Sequence, residues 1–358
     1  MLSAIVLAGG YATRLRPLSL TKPKALLPVL DKPILDYVID NLISNGIDKI
    51  YLSLRVMADK IIDRYKDRDR IVFVVEDEPL GDAGPLRYIS EKYSLSDDVI
   101  VVYGDVYSEI NYKEVLNYHQ KENNDVTITA TRVKDVRKYG VIYHKDGKLI
   151  KLVEKPDVAE TNLINAGVYV FKKGLFKFIN YPSSISKNLL PNLLKEGHNI
   201  GVYEYNGIWA DIGFPNDYKN LNLILLERKY PKGFIDNSAK ISESTHLEPP
   251  YYISKNVRIE GDSTINNSII GANSKIGKGV AIRESILMNN VEVGDFSYIK
   301  GAIIADKCKI GKWNHLLEAS ILGEEVYTID GILINENTLI LPYKEITNSI
   351  VEKGKIIL

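Results

Sequence analysis

"NSIIGANSKIGKGVAIRESILMNNVEVG", Asn267 to Gly294, repeats itself on a short beat. Ile270, Ile276, Ile282 and Met288 stand six residues apart, and Ile304, Ile310, Leu316 and Leu322 take up the same spacing further on. A coarser period overlays it. "NSII", "ESIL", "GAII" and "ASIL" place an isoleucine at 269, 286, 303 and 321, in steps of 17, 17 and 18. Fixed periods of this kind mark a solenoid whose coils stack apolar ladders. Aliphatic–Gly pairs at Ile270-Gly271, Ile276-Gly277, Val293-Gly294 and Ile310-Gly311 fit a left-handed parallel β-helix of hexapeptides. Three six-residue faces would give coils of roughly 18 residues. A sandwich of short strands would not hold so even a beat.

Upstream of about Pro231 the grammar is different. Ser3-Ala8, Lys49-Leu54, Ile71-Val75 and Val99-Tyr103 are near-continuous aliphatic runs and predict buried strands. Helical patterns separate them: Pro33-Asn45 closed by Gly46, then Met57-Tyr65, then Gly84-Lys92. That alternation predicts an α/β fold, a Rossmann-like sheet wrapped by helices. "GVIYHKDGKLIKLVEKP" reads as a hairpin about Asp146-Gly147, so the sheet should be mixed. Two domains are expected, residues 1–230 and residues 231–358.

Composition narrows the function. The 46 basic and 46 acidic residues cancel, which argues against a nucleic-acid binder with a general electrostatic footprint. The single cysteine, Cys308, excludes an intrachain disulfide and a Cys-rich metal site. The first apolar stretch, Leu2 to Ala8, is too short for a signal-peptide core, and no apolar run approaches membrane-spanning length. A cytoplasmic protein with no membrane partner is expected. Any anionic ligand must therefore meet local cations.

Such cations crowd one loop. "LAGGYATRLRPLSLTKPKALLPV", Leu7 to Val29, follows the first strand and holds two glycines, two arginines, two lysines and three prolines. Loops after strands of open α/β sheets are where ligands bind. Gly9 and Gly10 let backbone N–H groups approach a phosphate chain. Arg14 supplies a planar fork and Lys24 a mobile point charge.

The stretch resembles the signature of the sugar-1-phosphate nucleotidyltransferases, the nucleoside-diphosphate-sugar pyrophosphorylases. The resemblance continues in order through "EPLGDAGPL" (78–86), "YGDV" (103–106), "KYGVI" (138–142), "VEKP" (153–156), "NAGVYVF" (165–171) and "WADIGFPNDY" (209–218). A β-helix is a common appendage in that family. The resemblance implies a reaction in which a sugar-1-phosphate oxygen attacks the α-phosphorus of a nucleoside triphosphate and pyrophosphate leaves. Arg14 and Lys24 would then be the catalytic cations. Leu7, Ala8, Gly9, Gly10, Thr13, Glu76 and Gly81 would bind the nucleotide, and Gly140, Glu154, Lys155 and Asn165 the sugar phosphate. Asp105 and Asp211 would hold Mg²⁺, a hard ion suited to carboxylates and phosphates. The β-helix would support a homo-oligomer.

Glu76 bears on the base. Pyrimidine-specific members usually carry glutamine five residues before the glycine equivalent to Gly81, because an amide both donates and accepts. A carboxylate only accepts, which suits the two adjacent donors of guanine. "EPLG" with "AGPL" also resembles mannose-1-phosphate guanylyltransferases, so GTP and mannose 1-phosphate are favoured. A thymidylyl- or uridylyltransferase acting on glucose 1-phosphate is the alternative. Two letters depart from the family pattern. Ala12 replaces a common glycine, narrowing backbone freedom. Asp82 replaces a threonine, and its charge either alters base preference or points to solvent. Two further readings belong to other classes. A silent regulatory paralogue should have lost Arg14, Lys24, Asp105, Lys155 or Asp211, all of which are present. An acyltransferase in the repeats would have only His315 to work with.

Overall fold

Four aliphatic runs form the parallel part of one sheet. Strands β1 (Ser3–Leu7), β2 (Lys49–Leu54), β3 (Ile71–Val75) and β4 (Asp98–Tyr103) lie in the order β3-β2-β1-β4. Helices α1 (Ile34–Ser44), α2 (Ala58–Tyr65) and α3 (Gly84–Lys92) fall between them in the chain. The computed structural model describes residues 2–358. By packing it divides into residues 2–10 with 34–211, and residues 11–33 with 212–358. The change of sequence grammar near 230 falls instead just after helix α6 described below.

Local chemistry explains the element ends. Gly46 takes φ 85° just past α1, where only glycine is relaxed, and its N–H reaches Ile43 O at 3.0 Å. Met57, expected inside α2, instead precedes it with φ 51°. The remaining elements of this unit are β5 (Val106–Ser108), α4 (Tyr112–Lys121), β6 (Val126–Arg132), β7 (Gly140–Lys145), β8 (Lys148–Glu154), β9 (Leu163–Lys172), α5 (Leu190–Lys195), β10 (Ile200–Tyr205) and β11 (Trp209–Asp211). Strands β7 and β8 form the hairpin expected, with Asp146 and Gly147 both at positive φ as a type I′ turn requires. The whole sheet runs β3-β2-β1-β4-β9-β6-β10-β8-β7. Strand β9 is antiparallel to both β4 and β6, which makes the sheet mixed.

The second unit is dominated by a solenoid of parallel strands, consistent with a left-handed β-helix. Its ladders are those the repeats mark: Ile269, Ile286, Ile303 and Ile321 are successive rung partners. Ile265, Ile282, Ile299, Leu316 and Ile334 stack on a second face, all fully buried. A third face carries Ile259, Ile276, Val293 and Ile310. Coils of 17 and of 18 residues both occur, in keeping with the steps of 17, 17 and 18 between isoleucines. Ile270, Leu287 and Ile304 are 17 apart, whereas Ile304, Leu322 and Ile340 are 18 apart. In the shorter coils the ladder position falls on Leu287 rather than on Met288, the residue that continues the six-residue beat.

Helix α6 (Pro215–Lys229) belongs to this unit and is fastened to the coils. Lys219 Nζ donates to Glu318 Oε1 at 2.6 Å and to Gly301 O at 3.1 Å. Residues 11–33 are held in turn on α6: Leu30 N–H donates to Asn222 Oδ1, and the Tyr218 hydroxyl donates to Pro28 O. Among the described residues no helix is long and apolar enough to cross a membrane.

Candidate functional site

The C-terminal ends of β1 to β4 meet at one edge of the sheet. Leu7 lies between Ser53 and Tyr103, Ala8 N–H reaches Ser53 O at 2.9 Å, and Gly104 N–H reaches Leu7 O at 2.9 Å. A Cβ on Gly9 would lie 3.3 Å from Arg55 Cβ and 3.5 Å from Glu76 Oε1. The two halves of the expected nucleotide site, the Gly-Gly turn and Glu76, are thus in contact distance. A Cβ on Gly10 would meet nothing within 4 Å, so that side of the loop is open to a ligand.

Glu76 follows β3 and is buried, not an exposed strand-end acid. It accepts from the Ser53 hydroxyl. Burial raises its pKa, opposed by the Ser53 hydroxyl, the Leu80 backbone N–H and the charge of Arg55. Gly81 is irreplaceable on two counts. Its φ is 77°, and a Cβ there would fall 2.0 Å from Ser183 O.

Asp82 neither faces solvent freely nor reaches for a base. One oxygen accepts Ile185 N–H at 2.7 Å and the other accepts the Tyr103 hydroxyl at 2.7 Å. Its carboxylate ties the base loop to β4 and to residue 185, a structural use that the sequence comparison of single letters did not suggest.

The segments expected to hold the sugar phosphate converge. Gly140 and Glu154 are cross-strand partners in the β7–β8 hairpin. A Cβ on Gly140 would lie 3.0 Å from Glu154 Oε2 and 3.8 Å from Asn165 Cβ. Asn165 opens a bulge in β9, where its Nδ2 donates to the Tyr169 hydroxyl at 2.7 Å and its Oδ1 accepts Gly167 N–H at 3.1 Å. "NAG" therefore bends the strand rather than ending it. Lys155 stands half-exposed just after β8, with Nζ 3.6 Å from Glu154 Oε1.

The backbone at Asp211 is brought beside that at Asp105, 106 positions earlier, by a small ribbon. Strand β11 pairs antiparallel with β5, and Asp211 is the partner of Val106, the residue after Asp105. Trp209 anchors the ribbon, donating its indole N–H to Ala166 O at 2.8 Å and meeting the Tyr139 ring edge-on. Among the described residues no group of three His, Cys, Asp or Glu side chains gathers as a metal cage. Two carboxylates from neighbouring points of the backbone offer the kind of donors taken by an ion that keeps water and substrate phosphates as its other ligands.

Residues 11–33 form three single-turn 3-10 segments, Thr13–Leu15, Leu18–Leu20 and Lys24–Leu26. Thr13 and Arg14 lie in the first and Lys24 starts the third. The Arg14 guanidinium stands 4.7 Å over the Phe214 ring. Ala12 adopts φ 49° and ψ 41°, the left-handed conformation suited to glycine, and its carbonyl accepts the Ser19 hydroxyl at 2.7 Å. The alanine thus leaves the turn intact at some cost. Ala12→Gly should raise unfolding free energy by about 0.5–1 kcal/mol, relief of the left-handed strain outweighing the extra freedom of the unfolded chain. A lower melting temperature in calorimetry would contradict this.

Ser53, Tyr103, Trp209 and Phe214 are supporting residues that motif reading passed over. Tyr103, Trp209 and Phe214 stood inside quoted motifs, but only their contacts show what they do. Comparisons with known proteins match the chain in two stretches. Residues 3–228 match the nucleotidyl transferase family model, and residues 249–357 match the GMPPB C-terminal domain. A protein of Sulfolobus acidocaldarius named putative mannose-1-phosphate guanyltransferase is 55% identical, covering 100% of both chains. Mannose-1-phosphate guanyltransferase of Yarrowia lipolytica is 32% identical, again covering 100% of both. The crystal structure of HddC from Yersinia pseudotuberculosis complexed with GMP-PN is similar at 30% identity and TM-score 0.54. It covers 63% of this chain and 100% of that one.

Proposed function

The chain belongs to the nucleotidyl transferase family, and we propose that it transfers the guanylyl group of GTP to mannose 1-phosphate, giving the sugar nucleotide and pyrophosphate. The observation that carries the choice of base is the buried carboxylate of Glu76, fixed by Ser53 beside the Gly9 turn. The names of the full-length relatives and the GMP-PN bound in the HddC structure support the same choice.

In this reading an oxygen of the sugar phosphate forms a bond to the α-phosphorus while the bond to the bridging β-oxygen breaks. The nucleophile is already an anion, so no general base is required. Catalysis is then positioning and charge neutralisation. Backbone N–H groups at Gly9 and Gly10, with Thr13, cradle the phosphates, while Leu7 and Ala8 hold that turn against the nucleotide from the end of the sheet. Arg14 and Lys24 offset the charge that builds on the leaving pyrophosphate. Lys155 meets the sugar's phosphate. Glu154, the Gly140 backbone and the remaining N–H and lone pair of Asn165 take sugar hydroxyls. Asp105 and Asp211 would hold Mg²⁺, which supplies Lewis-acid neutralisation of the phosphoryl oxygens when bound.

Glu76→Gln tests the base. An amide turns one donor toward guanine, so kcat/KM for GTP should fall by about 10–100-fold while UTP or dTTP gains ground. In the unaltered chain the preference should weaken as pH falls toward the raised pKa of Glu76, because only the ionised group accepts twice. A matrix of nucleoside triphosphates against sugar 1-phosphates, scored by pyrophosphate release, decides it. Unchanged guanine preference in the variant would leave Glu76 a bystander. The same reading includes a cytoplasmic setting and self-association through the solenoid, where Phe296 and Trp313 stack, half-exposed, at one corner. A monomer in analytical ultracentrifugation would remove the second of these.

A further inference from the structure

We propose that Asp306, on the solenoid, is a positioning residue for the phosphate-binding cations, acting through Lys22 on the excursion that carries Arg14 and Lys24. The proposal rests on the roles given to those two cations above.

Lys22 Nζ donates to Asp306 Oδ2 across 284 residues of sequence, and both side chains are largely withdrawn from solvent. The contact lies within one packing unit, residues 11–33 with 212–358. Lys22 is separated from Lys24 only by Pro23, whose ring fixes φ and whose carbonyl accepts Leu26 N–H at 2.8 Å. A displacement at Lys22 therefore passes to Lys24 with little slack. Further on, the anchors at Pro28 and Leu30 lie on α6, which is itself pinned to the coils by Lys219. Asp306 is a point at which the coils grip the excursion directly.

The solenoid does not need a charge at this position. Asp306 Oδ1 accepts Asn289 N–H from the preceding coil at 2.8 Å. One coil earlier Asn289 Oδ1 performs the same service for Ala272 N–H at 2.9 Å, with a neutral amide. The coil-to-coil hydrogen bond thus accounts for one oxygen of Asp306, and an asparagine would suffice for it. The charge and the second oxygen are accounted for by Lys22.

The test uses the full chain with GTP, mannose 1-phosphate and Mg²⁺. Lys22→Ala leaves the Asn289 contact intact, and Asp306→Asn keeps an acceptor for it while removing the charge. Both should lower kcat about tenfold or more, since small misplacements of catalytic groups are costly. KM for mannose 1-phosphate and the melting temperature should hardly move. Lys22→Arg, which keeps the charge, should retain most of the rate. Wild-type kcat in both variants, or a fall that only follows loss of folded protein, overturns the proposal. Lys24→Ala serves as reference. If it alone loses rate, the coupling fails and the reading of the excursion stands. If it keeps full rate, the reading of the excursion fails and takes the coupling with it.

Discussion

Alanine at position 14 should leave the chain folded and reduce kcat for sugar-nucleotide formation by about 10²–10³, the cost typical of removing one preorganised donor from a site of developing charge. Arg14 is exposed, and the contact described for it is the face of Phe214 at 4.7 Å. Losing that contact costs stability by no more than about 0.5–1 kcal/mol. A guanidinium held over a ring face makes no hydrogen bond to it, so its fork of N–H groups can meet two phosphate oxygens at once. Lysine at position 14 keeps the charge but not the fork, so it should recover only part of the rate. Phe214→Leu keeps the arginine and loosens it, and should cost several-fold at most. Saturating kinetics of the three variants, with melting curves alongside, separate these effects. Full kcat in Arg14→Ala would take the catalytic role from this residue.

What was readable in the sequence was local. The strands at Lys49–Leu54 and Ile71–Val75 and the hairpin about Asp146-Gly147 follow from runs, periods and turn residues within a few positions of one another. The isoleucine ladder was readable because each coil repeats its neighbour. Coil length was readable in part. The six-residue beat points to Met288, but the 17-residue step from Ile269 to Ile286 already sets Leu287 opposite Ile270, as the rung pairing has it.

The site divides in the same way. Gly9, Gly81 and Gly140 occupy positions where a Cβ would press on neighbours, which is why glycine marks them. Asp82 was visible as an unusual letter, but its hydrogen bonds to Ile185 and Tyr103 join segments far apart in the chain. Ser53 gave no signal at all, being one small residue in a buried strand. The Lys22–Asp306 pair has no local signature either, because its two members lie 284 residues apart in the chain.

Asp105→Asn and Asp211→Asn should each lower kcat by about 10²–10³ at low millimolar Mg²⁺, with part of the rate returning as Mg²⁺ is raised. The two acids come from neighbouring points of the backbone because β11 lies antiparallel on β5, with Asp211 across from Val106. That ribbon is held by Trp209 on Ala166 O and by the Tyr139 ring, neither of which an Asp→Asn change touches. The melting temperature should therefore stay near that of the unaltered chain, so lost rate reports on the carboxylates. If both acids serve one ion, their effects are not independent. The double variant should then be little worse than the poorer single one, whereas acids with separate duties would multiply their losses. Calorimetric titration with Mn²⁺ in the presence of GTP gives a reading independent of turnover, and either substitution should weaken it. Wild-type Mn²⁺ affinity in both single variants would separate the pair from the metal, leaving the β5–β11 ribbon as a scaffold for Trp209 alone.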